Sequence, residues 1–267
     1  MQSYFGKTMN LYEGQFSEEL DQPQGTAPIR NVLIASTPRC GSHMLGHAMT
    51  DTGLLGIPME YCNPGNMKEW RTRLKTTTPQ ETLAAIRARR TTPNGIFADR
   101  AHFDHCAPMG GPEALFDLLP GVIHLRRADV LRQAISFAVA WQTGVWITGQ
   151  EAVSDAAVYD AGLIRSCLND IAIQNANWVS TFAAAGIVPL NVFYESTAQD
   201  LDRDITAIAR FVGAIGDGDT LKARPRTRKQ SLNQRTEDWI RRYRDDQRTP
   251  PSLMRRIKGK AGRILKR

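Results

Sequence analysis

The chain has 267 residues, 42% hydrophobic and 23% charged, a balance that fits a folded globular protein and excludes a disordered one. No apolar run approaches the roughly 18–20 residues that span a bilayer, and "MQSYFGKTMNLYEGQFSEEL" lacks the basic-then-apolar order of a secretory signal. The net charge of +7 sits in residues 252–267, whose seven Lys and Arg, taken from 34, leave 27 against 27 Asp and Glu. The body is therefore neutral, which argues against nucleic acid as a partner.

Residues 1–28 read as a polar, irregular arm with a short helix near 17–20. A first strand is expected over 31–35, then a loop and a helix over 42–51 that stops near Gly53. Residues 53–66 carry Gly53, Gly56, Pro58, Pro64 and Gly65 and read as a turn-rich connection. Thr78 before Pro79 opens a helix over 78–90. A strand over 95–100, a helix over 111–120 and a buried strand over 121–127 follow. Helical spacing of Val130, Ala134, Phe137, Val139 and Trp141 predicts a helix within 128–146. A long helix over 161–186, a strand over 187–195 with Pro189 marking an edge or bulge, and a helix over 200–213 complete the pattern. Strands alternating with helices predict an α/β fold of three layers, a central parallel β-sheet flanked by helices. Its sites belong at the carboxyl ends of the strands. The division expected is an arm over 1–28, one domain over 29–248 and a basic tail over 249–267.

"NVLIASTPRCGSHML" (31–45) is the stretch with the clearest chemistry. A strand runs into a loop and a helix start, where backbone N–H groups and the helix dipole favour an anion. Gly41 allows close approach, Ser42 offers a hydroxyl and Arg39 a planar charged fork. The Gly-Lys-Ser or Gly-Lys-Thr end of a nucleoside triphosphate loop is missing. "HLRRADVLRQAISF" repeats the pattern, with Arg126 and Arg127 both candidates for a phosphate. Glu60 lies in the loop "GIPMEYC", and His43 inside the anion loop competes with it as a base. His43 and His47 have metal-like spacing but no third ligand, so no metal is expected. The cysteines Cys40, Cys62, Cys106 and Cys167 are scattered, which predicts neither a zinc site nor a disulfide framework and fits a cytoplasmic home.

"PRCGSH" resembles the loop with which sulfotransferases grip the 5′-phosphosulfate of 3′-phosphoadenosine 5′-phosphosulfate (PAPS), with Arg39 at the lysine position. "TGLLGIPMEYC", "IHLRRADVLRQAISFAVAWQTGVW" and "LNQRTEDWIRRYRDD" resemble, in the same order, segments of the bacterial trehalose 2-sulfotransferase family. The resemblance covers about 29–248 and implies a P-loop NTPase-like sulfotransferase. It implies a PAPS cradle of Pro38, Arg39, Cys40, Gly41, Ser42, His43 and Met44. Arg127, Ser136 and Arg235 would hold the 3′-phosphate, and Glu60 would be the general base, with Arg39 and His43 assisting. Ile57, Pro58, Met59, Tyr61 and Trp70 would line the acceptor site, Trp70 as a sugar platform. Ile57 and Met59 stand where that family is polar, which points to a hydroxyl acceptor other than free trehalose, a glycan or a lipid. The competing readings are a nucleotide-dependent kinase, with Asp99 or Asp129 on its metal, and a non-catalytic nucleotide-binding module. In the tail, Leu253, Ile257, Ala261, Ile264 and Leu265 fall near one helical face, a pattern that suits contact with an anionic membrane at its inner face. A homodimer is compatible with all of this.

Overall fold

The computed structural model describes residues 11–23, 26–147, 150, 152, 157–223 and 234–248. Four parallel strands form one sheet: β1 (Arg30–Ser36), β2 (Ile96–His102), β3 (Leu119–Arg126) and β4 (Leu190–Phe193), in the order β2-β1-β3-β4. The chain leaves β1 for one neighbour and returns to the other, so a crevice opens between the carboxyl ends of β1 and β3, the usual place for a ligand. β4 is an edge, as Pro189 implies.

Alternation along β1 decides the layers. Val32 and Ile34 face one side, with Leu45, Ala48 and Met49 of α1 (Ser42–Asp51) and Ile205 and Ile208 of α7 (Leu201–Phe211). Leu33 and Ala35 face the other. There they meet Met67 and Trp70 of α2 (Pro64–Leu74), Leu83 and Ile86 of α3 (Pro79–Arg90), and Trp178 and Phe182 of α5 (Ala161–Ala184). A third cluster joins α4 (Val130–Thr143), α5 and α8 (Gln234–Arg248). An α/β sandwich with helices on both faces is thus the observed class. Among the described residues no helix is long and apolar enough to cross a membrane.

Local signals explain most boundaries. α3 begins with a complete capping box, the Thr78 hydroxyl accepting from Glu81 N and the Glu81 carboxylate from Thr78 N. Three expectations need correction. Pro64 and Gly65 do not continue a loop: Asn63 caps Gly65 N and Asn66 N, and Pro64 takes the first position of α2, where its missing N–H costs nothing. The helix expected over 111–120 is only a 3-10 turn at Pro112–Leu115, because Leu118 turns left-handed (φ 62°) into β3. The strand expected over 187–195 is only β4, because Tyr194 and Glu195 already begin α6 (Tyr194–Gln199), and the helix expected over 200–213 follows as α7, where Asp200 caps Arg203 N. The arm packs inward: Phe16 is buried against Trp70, with ring centroids 5.1 Å apart. The basic tail lies outside the described residues.

Candidate active site

The loop between β1 and α1 is held by contacts from distant elements. Arg39 adopts φ 64° and Gly41 φ 96°. A Cβ on Gly41 would lie 2.3 Å from the Tyr194 ring, so both backbone conformation and packing demand glycine. From α4, the buried Gln133 amide donates to Thr37 Oγ1 at 2.9 Å and to Pro38 O at 2.7 Å. No side chain caps α1, so its amino end faces the loop without a bonded carboxylate or hydroxyl cap.

The expected cationic residues converge here. Arg39 Nε donates to Ser136 Oγ at 3.1 Å, and its NH1 donates to Trp146 O. Arg127 NH1 reaches Arg39 O at 3.4 Å, and its guanidinium lies 4.6 Å over the Tyr194 ring. Burial, and after it the charge of Arg127, pull the Arg39 pKa below its ordinary value. Two guanidiniums thus share a half-buried crevice, an arrangement that a polyanion relieves. Arg126 points elsewhere, stacking on Phe193 at 4.8 Å and donating to Asn191 Oδ1. The backbone of the second loop is already engaged: Glu195 accepts from Ala128 N at 2.9 Å and Asp129 N at 3.2 Å and lies 3.6 Å from Arg127 Nε. The Ala128 and Asp129 amides of this turn are thus occupied by Glu195. Arg235 is exposed in the first turn of α8, a helix tied to α4 by Arg132–Glu237 at 2.6 Å.

Glu60 sits beside this crevice, and its main chain is fixed by Met59 O accepting from Arg100 N. Its carboxylate pairs with Arg100 NH2 at 3.3 Å and lies 3.9 Å from His102 Nε2. Burial is the largest influence on it and acts to raise its pKa. Arg100, then His102, His105 and His43, outweigh burial and hold it at about 2. Gly46 of α1 permits this approach, since a Cβ there would lie 2.9 Å from Pro58 O. His43 meets His47 edge to face, their Nε2 atoms 3.2 Å apart, and Tyr12 stands edge-on to both. Burial first, then Arg100 and His47, lower the His43 pKa to about 3, so its imidazole is neutral. Among the described residues no group of three His, Cys, Asp or Glu side chains is arranged to hold a metal.

The family comes from a comparison with known proteins. The family description "Stf0 sulphotransferase" matches residues 112–246, half of the chain. The chain belongs to this family. Two relatives are the trehalose 2-sulfotransferases of Mycobacterium tuberculosis (strain ATCC 35801 / TMC 107 / Erdman) and Mycolicibacterium smegmatis (strain ATCC 700084 / mc(2)155). The first is 29% identical over 258 residues, 81% of this chain and 95% of the relative. The second is 26% identical over 255 residues, 80% of this chain and 94% of the relative. Among solved structures, the sulfotransferase domain from the Synechococcus PCC 7002 olefin synthase aligns with TM-score 0.45 and 19% identity, covering 73% of this chain and 77% of that one. The domain from the curacin biosynthetic pathway aligns with TM-score 0.45 and 15% identity over 72% and 76%.

Within this Stf0 chain the acceptor-lining expectations are corrected. Ile57, Pro58, Met59, Tyr61 and Trp70 are all buried in the core. Trp70 is only 4% exposed, packed by Phe16 and Tyr61 with Arg90 over its ring, because α2 turns it inward. Tyr61 donates to Ile57 O at 2.7 Å. Ile57 and Met59 are apolar as core residues are. The kinase reading loses its metal acids: Asp99 is fully buried, bonded to Cys62 Sγ and Arg100 N, and Asp129 caps α4 and pairs with Arg132.

Sequence reasoning missed Arg100, His102, His105, Gln133, Tyr194 and Glu195. Arg100 had a usable signal, a basic residue near the carboxyl end of a strand, the same signal that singled out Arg127. The histidines had none, since only folding brings β2 and the turn after it to the Glu60 loop.

Proposed function

We propose that the protein transfers the sulfuryl group of PAPS to a hydroxyl of a carbohydrate acceptor, free or lipid-linked. The observation that carries this reading is the convergence of Arg39, Ser136 and Arg127 at the β1–β3 crevice, with Glu60 beside it. The names of the two mycobacterial relatives support a trehalose-like acceptor. The loop over Pro38, Cys40, Ser42, His43 and Met44 cradles the phosphosulfate, with Arg39 as its main charge. Arg127 and Ser136 hold the 3′-phosphate, and Arg235 closes on it from α8. The paired guanidiniums fit this polyanion because its charge offsets their mutual repulsion.

In the reaction Glu60 takes the proton of the acceptor hydroxyl as the oxygen attacks sulfur. A new sulfur–oxygen bond forms, the bond to the phosphate oxygen breaks, and adenosine 3′,5′-bisphosphate leaves with the negative charge. Arg39 and neutral His43 stabilise that charge by hydrogen bonds. Arg100 holds Glu60 in place and ionised. The negative charge of the bound donor opposes Arg100 and raises the proton affinity of Glu60 when it is needed.

Calorimetry with adenosine 3′,5′-bisphosphate, without magnesium, tests the donor site, and binding is expected. Transfer of label from ³⁵S-PAPS to a carbohydrate panel that includes trehalose tests the acceptor. Absence of bisphosphate binding, with binding of ATP only in magnesium, overturns the reading.

A further inference from the structure

The tautomer of His102 can be read from its partners. Ser36 Oγ lies 3.1 Å from Ala101 O and 3.0 Å from His102 Nδ1. A hydroxyl carries one hydrogen, and a carbonyl oxygen can only accept it. Ser36 therefore donates to Ala101 O, and His102 Nδ1–H donates to Ser36. The imidazole is neutral with its lone pair on Nε2, and that lone pair faces Glu60 Oε1 across 3.9 Å. Two proton acceptors thus face each other with no proton between them. The ring is fixed in this pose. It is 8% exposed, packed on His105 at 4.7 Å, and Ser36 itself is anchored through Trp178 Nε1–H to Ser36 O.

His105 is oriented by an equivalent chain. Asn63 Oδ1 accepts from Gly65 N and Asn66 N, so Asn63 Nδ2 donates to His105 Nε2. His105 then carries its hydrogen on Nδ1 and is no rival acceptor at Nε2. The groups facing His102 are Ser36 from β1, Arg100 from β2, Asp104 and His105 from the turn after β2, and Glu60 from the loop after α1.

We propose that His102 is a positioning residue that shares the proton Glu60 removes from the acceptor, Nε2 receiving it as the second member of a Glu60–His102 pair. The inference rests on the reading of Glu60 as general base. The acceptor O–H bond breaks as the Glu60 O–H bond forms, and that bond breaks in turn as the carboxyl closes the 3.9 Å to Nε2 to hydrogen-bond reach and Nε2–H forms. The carboxylate is restored beside an imidazolium, and no other reactant is required.

Two measurements on the full chain test this. Long-range ¹⁵N–¹H NMR of the histidine rings should show His102 with hydrogen on Nδ1, and a hydrogen on Nε2 overturns the proposal. The second compares His102→Asn, whose amide can still donate to Ser36, with Glu60→Gln, following sulfate release from ³⁵S-PAPS with water as acceptor. His102→Asn should slow release about tenfold, leave bisphosphate affinity unchanged, and move the acid limb of the rate profile to lower pH. A slower rate with an unmoved limb marks a merely structural role and overturns the pair. If Glu60→Gln slows release and His102→Asn does not, the pair falls while Glu60 stands. If Glu60→Gln has no effect, the base reading itself falls.

Discussion

At the ends of β1 and β3 the chain gathers cations, while in the loop after α1 it surrounds one carboxylate with cationic and imidazole groups. Arg39 and Arg127 crowd each other in a half-buried crevice, and the uncapped start of α1 adds its dipole. Glu60 is the reverse case, a single anion that Arg100, against burial, holds ionised. The first arrangement is incomplete without an anion. The second is electrostatically complete and has acceptor capacity to spare. A donor site and a proton-accepting site make those opposite demands.

The comparison is broken most sharply at Glu60. Glu60→Gln keeps the shape and removes the charge, so transfer from labelled donor should fall by about 10²–10⁴-fold while calorimetry finds bisphosphate affinity unchanged. Equal loss of both would merge the two regions into one site. Gly41→Ala attacks the other side. With φ at 96° and the Tyr194 ring in the way, it should destabilise the fold by about 1–3 kcal/mol and weaken the donor site, read by thermal melts with and without bisphosphate.

Arg39→Ala should weaken donor binding about tenfold, about 1.4 kcal/mol, and unchanged affinity in calorimetry would remove the loop from the donor site. Arg127→Ala sharpens the division further. It should reduce affinity for adenosine 3′,5′-bisphosphate several-fold, at most about the Arg39 effect, and leave adenosine 5′-phosphate almost unaffected. Equal losses for both nucleotides would place Arg127 away from the 3′-phosphate.

The smallest effect is on stability against pH. His43 at about 3 and His102 at about 4 are both depressed from 6.5. Their contribution is therefore full above pH 6.5 and is lost as pH falls toward those values, because the unfolded chain takes up the protons first. Glu60, at about 2 against an ordinary 4.5, contributes fully above pH 4.5 and loses its contribution as pH falls toward 2. Melting temperature should therefore begin to drop below pH 6.5, before any Glu60 effect, and His43→Gln should flatten that upper part. A melting temperature flat from pH 7 to 4.5 would contradict buried neutral imidazoles.

The sequence by itself determined the parallel α/β plan and the bounds of α1. These depend on signals a few residues long: the apolar run of β1, the Thr78–Glu81 capping box, and a glycine between strand and helix. Only the tertiary structure decided that Trp70 fills the core instead of facing a sugar, that Asn63 starts a helix and orients His105, and that Gln133 fastens the anion loop. It also set His102 Nδ1 against the hydroxyl of a serine 66 residues earlier. The Gln133–Thr37 contact spans 96 positions. Such pairings leave no periodic trace, because they are selected by how whole layers pack and not by the conformational preference of any short segment.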